Sequence, residues 1–378
     1  MILSQDVTLP CGLSLPNRLC KGAMAEAMST THVPDERFLK AYGNWADGGW
    51  GMMLTGNVQP SGNLGQQLVN DPEPQPSFKY ATQAVNPPNG RKPRIFEKLI
   101  APSAVPLKLG NSFIERAAAA FVFGTPRELT SDEISGPGGI IDEFVACAKQ
   151  SFEAGFKGVE LHGAHGYLLA QFLSPESNLR SDEFGGTAKK RAEVVVRTIS
   201  AIRQQTSKEF CIGIKMNSVD ASSNESLTDT MEQIQYIVEA GIDFIEISGG
   251  NFENPRISRE SFFLEFAKSV RQRFPTVILM VTGGFRTRIG MEEAVQSGGC
   301  DLIGIARPAA VLPKLPREII LNKDIPDEEA KVTLAPLSVP FLVRHSPIKQ
   351  VGAGFQSMYY ASQIQRLAKG LLPIDSRA

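Results

Sequence analysis

From about residue 141 to residue 305, short apolar runs rich in Val, Ile and Leu alternate with amphipathic stretches of helical length. This rhythm constrains the fold more than any other feature of the chain. Strands covered on both faces read as continuous apolar runs, and parallel neighbours need a crossover, usually a helix. Strand candidates fall at 19–25, 51–56, 157–162, 210–216, 242–248, 277–282 and 301–305, with helices expected at 36–47, 141–154, 187–205, 227–240, 260–273 and 288–297. Ala154-Gly155, Ala240-Gly241 and Ser297-Gly298-Gly299 supply the glycine stops of three of these helices. The pattern predicts an α/β chain folded as an eight-stranded (β/α)8 TIM barrel, whose ligand crevice lies at the carboxyl ends of the strands. With no internal repeat and no linker, one domain over 1–378 is expected.

Seven strands are easy to place, and the eighth, third in chain order, must come from 57–100. That stretch carries Gln59-Pro60-Ser61-Gly62, Asp71-Pro72-Glu73-Pro74-Gln75-Pro76 and Asn86-Pro87-Pro88-Asn89-Gly90. Prolines cannot donate to a central ladder and glycines weaken one, so the third-strand region is expected to be shortened or irregular. A second irregularity, Ser135-Gly136-Pro137-Gly138-Gly139, interrupts a helix that would otherwise run from near Thr130 through Phe144.

The formal net charge of −1 gives no field for steering nucleic acid or an anionic membrane surface, so the expected partner is a small molecule. Five cysteines, at 11, 20, 147, 211 and 300, are odd in number and lack Cys-x-x-Cys spacing. They suggest neither a disulfide framework nor a structural zinc, and fit a reducing cytoplasm. No run approaches the roughly 18 apolar residues of a membrane span, and the first residues lack the pattern of a signal peptide. Oligomeric state has no signature here.

The chemistry concentrates where Gly158-Val-Glu-Leu161 meets His162-Gly-Ala-His165-Gly-Tyr167, an apolar strand passing into a loop with three proton-handling side chains. Two imidazoles at a strand end can donate to one electronegative substrate atom and stabilise negative charge on it, each donor contributing about 2.7–4 kcal/mol to a barrier. A zinc site and a purely structural histidine pair are the rival readings. The other histidines are only His32 and His345, and the motif has no carboxylate, so no metal ligand set is expected. Tyr167, a phenol with an ordinary pKa of about 10, is protonated at neutral pH and can supply a proton, or be a rim aromatic.

Lys215 is read as the last residue of the strand Cys211-Ile-Gly-Ile-Lys215. Three jobs suit it: a Schiff base, a cation for an anionic cofactor, or a buried ion-pair partner. The following strands end in Thr282-Gly283-Gly284-Phe285-Arg286 and Gly304-Ile305-Ala306-Arg307, where barrels of this kind build phosphate sites from loop amides. No Gly-x-Gly-x-x-Gly follows a strand, so a Rossmann dinucleotide unit is not expected.

Together these residues resemble the old yellow enzyme family, FMN-dependent NAD(P)H:flavin oxidoreductases and ene-reductases, particularly its NADH-oxidase-like branch. The most specific stretch is His162 through Pro175, continued by Asn178, Arg180, Asp182-Glu-Phe-Gly-Gly186 and Arg191. Pro16-Asn-Arg18, Ala101 to Pro106, Gly213 to Ser218, Glu246-Ile-Ser-Gly-Gly250 and Thr282 to Phe285 add to it. The resemblance implies FMN at the open end of the barrel, reduced by NADH or NADPH in the same pocket, and hydride passed on to an activated alkene, an α,β-unsaturated carbonyl or nitro compound. It implies that His162 and His165 hold the substrate oxygen and that Tyr167 protonates carbon. Lys215 would stand by the pyrimidine edge of the flavin, with Ala23, Met24, Ala25, Gly56 and Gln83 around the ring and Gly283, Gly284, Ala306 and Arg307 at the phosphate.

The chain departs from the family pattern in three places. Ala25 stands where a threonine or cysteine usually contacts the flavin. The third-strand glutamine has only Gln83 as a counterpart, in a shortened segment that could equally form a helix over 78–84. Residues 135–139 read as an insertion. A catalytically impaired or non-redox flavin binder is therefore the alternative expectation, and a Schiff-base lyase using Lys215 a further one.

Overall fold

The computed structural model describes residues 1–28, 34–56, 58, 100–107, 113, 124–219, 226–249, 260–334, 337, 339–341 and 349–374. Seven strands form one sheet: β1 Leu19–Lys21, β2 Met52–Met53, β3 Gly158–Gly163, β4 Cys211–Asn217, β5 Phe244–Ser248, β6 Ile278–Thr282 and β7 Leu302–Ile305. Their order is β2-β1-β7-β6-β5-β4-β3, and every pairing is parallel. The sheet curls into an α/β barrel, as the rhythm of the sequence predicts. Its two edges among the described residues are β2 and β3, between which the expected third strand would stand. The expected strand within 57–100, Gln83 and the candidate helix at 78–84 lie outside the described residues.

Helices follow the strands on the outer face: Glu36–Ala46, Ile140–Glu153, Ala188–Gln205, Leu227–Glu239, Glu260–Arg273 and Arg288–Gln296. Their starts have chemical causes. Asp35, Thr187, Ser226 and Thr287 each accept a first-turn backbone N–H in their side chain. The interruption at 135–139 is real. Thr130 and Glu133 form a reciprocal capping box on the five-residue helix Ser131–Ser135, and Gly136 to Gly139 separate it from Ile140–Glu153.

Two strands are shorter than expected. β1 ends at Lys21 rather than 25 and β2 at Met53 rather than 56, because Glu26 turns inward and its carboxylate accepts the Gly56 N–H (2.8 Å) and the Tyr42 hydroxyl. β4 instead runs two residues past Lys215.

Inside the barrel, the inward side chains stack in layers set by the strand register. Gly213 pairs with Phe244, whose ring fills the space above it; a Cβ at Gly213 would lie 2.2 Å from that ring. Beneath, the hairpin Val7–Thr8/Ser14–Leu15 packs Val7, Leu9 and Leu15 against Cys20, Leu54, Cys211, Phe244, Met280 and Leu302. This apolar plug closes the amino-terminal end and leaves the carboxyl end for chemistry.

Candidate active site

Alternation along a strand sends Glu160 and His162 to the same face of β3, and Gly213, Lys215 and Asn217 to one face of β4. Register then fixes the neighbours: His162 pairs with Lys215, and Lys215 with Glu246. Lys215 Nζ lies 3.0 Å from Glu246 Oε1 and 3.9 Å from Glu160 Oε2, all three side chains at most 5% exposed. Two carboxylates therefore share one ammonium without solvent. Burial, then Glu246, pushes the Glu160 pKa far above the carboxylate range, so Glu160 carries a proton and can donate it in a hydrogen bond to Glu246. Burial also opposes charge on Glu246, but Lys215, with smaller contributions from Glu160 and Thr282, holds its pKa below the ordinary value. Burial alone would lower Lys215; Glu246 and Glu160 outweigh it, and the lysine stays charged.

Above this group stands the histidine pair. The ring centroids of His162 and His165 are 5.0 Å apart, and Tyr167 lies 5.0 Å from His162. His165 adopts φ 60°, a left-handed conformation rare for a residue with a Cβ, and is followed by Gly166 at φ 76°. That turn folds the loop back over the strand end. The His165 N–H donates to Asn217 Oδ1 (3.1 Å), and His165 Nε2 meets Ser248 Oγ at 3.1 Å. His162 is buried, 4% exposed, because its strand ends inside the barrel mouth. Burial, then His165 and Lys215, pushes the His162 pKa well down. Burial and Lys215 bring His165 down to about 4. Both imidazoles are neutral at pH 7, each with one N–H donor. Burial raises the Tyr167 phenol, which stays protonated.

The other predicted residues that are described occupy the same end of the barrel. Gly283 at φ 144° and Gly284 at φ 79° take conformations that favour glycine in the loop after β6. The backbone of Gly22 approaches the loop after β7 closely, a Cβ there meeting that of Ala306 at 3.3 Å. Ala306 precedes the short helix Arg307–Val311 without a side-chain cap. The Arg307 guanidinium reaches Gln356 Oε1 at 3.3 Å. Ala23 and Met24 are half-buried and Ala25 is exposed, while the Gly56 amide is already taken by Glu26. Glu160, Glu246, Asn217 and Ser248 were not singled out from the sequence. The available signal was a charged residue within each of two apolar runs, Gly158-Val-Glu-Leu161 and Phe244-Ile-Glu-Ile-Ser248.

Residues 11–328 match the model of the NADH:flavin oxidoreductase / NADH oxidase family. The chain is 39% identical over 411 residues to the NADH-dependent flavin oxidoreductase iccE of Talaromyces variabilis, covering 97% of this chain and 98% of that one. It is 38% identical over 429 residues to the NADH-dependent flavin oxidoreductase iliE of Neonectria sp. (strain DH2), covering 99% of this chain but only 56% of that relative's length. Both alignments run longer than this 378-residue chain, so each relative carries residues with no counterpart here. Among solved structures, the old yellow enzyme from Trypanosoma cruzi shares the fold, with a TM-score of 0.65 at 21% identity over 87% of this chain and 93% of that one. With the family model spanning most of the sequence and full-length relatives near 40% identity, this chain belongs to the NADH:flavin oxidoreductase / NADH oxidase family.

Proposed function

We propose that this protein is an FMN-dependent oxidoreductase that takes hydride from NADH or NADPH and reduces an activated alkene, an α,β-unsaturated carbonyl or nitro compound. The observation that carries the reading is a pair of neutral imidazoles beside a protonated phenol, directly above a buried, charged lysine. The donor set fits a flavin: a cation for its anionic edge, and, for its phosphate, the positive-φ glycines Gly283 and Gly284 after β6 beside the loop after β7, which the Gly22 backbone approaches closely. Bound there, FMN supplies the carrier that accepts hydride from the nicotinamide and delivers it to the alkene.

His162 and His165 hold the substrate oxygen through their N–H groups, and their hydrogen bonds strengthen as negative charge builds on that oxygen. Tyr167 gives its hydroxyl proton to the α-carbon: its O–H bond breaks, a C–H bond forms, and water restores the phenol. Asn217 and Ser248 fix the loop and ring of His165. Lys215 holds negative charge at the pyrimidine edge, kept charged by Glu246. Gly283, Gly284, Ala306 and Arg307 hold the phosphate through their backbone. Ala23, Met24, Ala25 and Gly56 would complete the ring environment, with Ala25 too short to hydrogen-bond the flavin. The reaction is placed in the cytoplasm, in keeping with unpaired cysteines; no helix among the described residues is long and apolar enough to cross a membrane.

The test is spectroscopic. Protein reconstituted with FMN should lose its visible absorption when NADH or NADPH is added without oxygen, and regain it when 2-cyclohexenone follows. Bleaching without recovery would remove the alkene from the proposal. Bound flavin that neither cofactor bleaches would leave a non-redox binder, the reading that Ala25 and the shortened third-strand region favour. A lyase would need Lys215 neutral, and its pairing with Glu246 opposes that.

A further inference from the structure

The closed end of the barrel, opposite the histidine pair, holds a chemical group the proposed reaction does not use. Cys11 stands in the turn of the N-terminal hairpin, where Gly12 at φ 88° donates its N–H to Leu9 O (2.8 Å) and reverses the chain. Cys211 is the first residue of β4. The two sulfur atoms and a carboxylate oxygen of Asp243 lie within 4.8 Å of one another. Asp243 is already engaged: its Oδ2 accepts the Ile212 N–H at 2.7 Å and Arg203 Nη2 at 2.8 Å. A guanidinium fixed against this carboxylate repels a divalent cation, and the carboxylate's Oδ2 is taken by two donors. Two adjacent thiols remain.

We propose that Cys11 and Cys211 form an oxidisable dithiol, a modification site that hydrogen peroxide converts into an intramolecular disulfide. The Cys11 thiolate attacks one peroxide oxygen. The O–O bond breaks, and the departing hydroxide takes up the proton the thiol had released, leaving as water. Cys11 is then a sulfenic acid. The Cys211 sulfur attacks the Cys11 sulfur, the S–O bond breaks, and a second water leaves with the Cys211 proton. Two thiols have lost two electrons in total, and the peroxide has gained them.

Three features select this pair. Cys11 is partly exposed, whereas Cys20, Cys211 and Cys300 are buried. The Cys211 thiol, as hydrogen-bond partner, lowers the Cys11 pKa, while burial holds Cys147 and Cys300 up at about 12. Finally, Cys11 lies in a turn rather than a ladder, so the sulfurs can close to the roughly 2.05 Å of a disulfide without breaking strand pairing. The product ties the plugging hairpin to β4.

The experiment treats the full-length, FMN-loaded protein with graded hydrogen peroxide, then unfolds it in an alkylating reagent for thiol counting and peptide mapping. Two of the five thiols should disappear together, with a Cys11–Cys211 cross-linked peptide and a rise in melting temperature on oxidation. In Cys11→Ser the cross-link and the rise should vanish, Cys211 should remain a thiol, and flavin reduction by NADH should be unchanged. Survival of all five thiols, over-oxidation of Cys11 without a link, or linkage of other cysteines would each overturn the proposal. So would one equivalent of zinc bound to the wild type and absent from Cys11→Ser, which would make the site a metal centre.

Discussion

Removing the two buried carboxylates one at a time and then together tests whether Lys215 is held charged by one anion or by two. At the effective dielectric of about 20 that suits buried pairs, unit charges 3.0 Å apart, as between Lys215 and Glu246, attract by about 5.5 kcal/mol. At the 3.9 Å of Glu160 the same expression gives about 4.3 kcal/mol. Glu160 carries a proton in the native protein, so Glu160→Gln keeps a donor toward Glu246 and should cost less than about 1 kcal/mol. Glu246→Gln leaves Glu160 free to ionise in its place, and the difference between the two attractions sets a cost of about 1–2 kcal/mol. The double variant strands Lys215 without an anion and should lose about 3–5 kcal/mol, well above the sum of the singles. Urea unfolding of the three variants at pH 7 measures this, and the flavin midpoint potential should fall only in the double variant. The pH dependence gives an independent sign. A carboxyl whose folded pKa is raised contributes stability below its unfolded value, near 4.5, and loses it as pH rises toward the folded value. Glu160→Gln should therefore gain on the wild type as pH climbs above about 4.5. Equal costs for the two single variants, with simple additivity in the double, would mean that both carboxylates are ionised and refute the reasoning.

Tyr167→Phe should leave the NADH half-reaction intact and slow alkene reduction by about 10²–10⁴, the usual range for a lost general acid, as stopped-flow measurement of the two halves would show. Equal slowing in both halves would remove the phenol from the proton-transfer step. His162→Ala should weaken binding of a phenol to the flavin-loaded protein by about 10²-fold or more, the cost of one oxyanion donor; unchanged titrations would dispose of the oxyanion role. The histidines also predict an acid limb of stability. A base with a depressed folded pKa contributes stability above its unfolded value and loses it as pH falls through the folded one, so the window for His165 runs from 6.5 down to about 4. Glu133 and Asp182, each held near 2 by an arginine, lose their share from about 4.5 and 3.8 downward, and so overlap only the acid edge of this window. Urea midpoints between pH 7 and 4 should drop less in His165→Asn than in the wild type.

The barrel was legible because all its described strands except β2 are buried on both faces, and seven apolar runs gave seven strands within a few residues. The ends of β1 and β2 were not, since the inward turn of Glu26 toward Gly56 and Tyr42 is a tertiary contact that no local pattern encodes. His162, His165 and Tyr167 could be placed together at one strand end because they sit in a single short motif where β3 passes into its loop. The partners of Lys215 could not be assigned so directly. Glu160 and Glu246 lie 55 and 31 positions from it in the chain and meet it only through the register of three adjacent strands. A carboxylate in an apolar strand signals that a partner exists without saying which.

That register also explains why a shortened third-strand region is compatible with an assembled site. Glu160, His162, His165 and Tyr167 come from β3 and its loop, Lys215 and Asn217 from β4, and Glu246 and Ser248 from β5. These strands are consecutive in the sheet, and the gap in the described barrel lies beyond their outer edge, between β3 and β2. The constraint on this group is therefore the pairing β3-β4-β5. A one-residue slip of β4 would turn Lys215 out of the barrel and bring Ile214 or Met216 in, leaving Glu246 without its cation. Loss of sequence between 57 and 100 imposes no such slip, because each pairing that holds Lys215 against Glu160 and Glu246 is formed downstream of it.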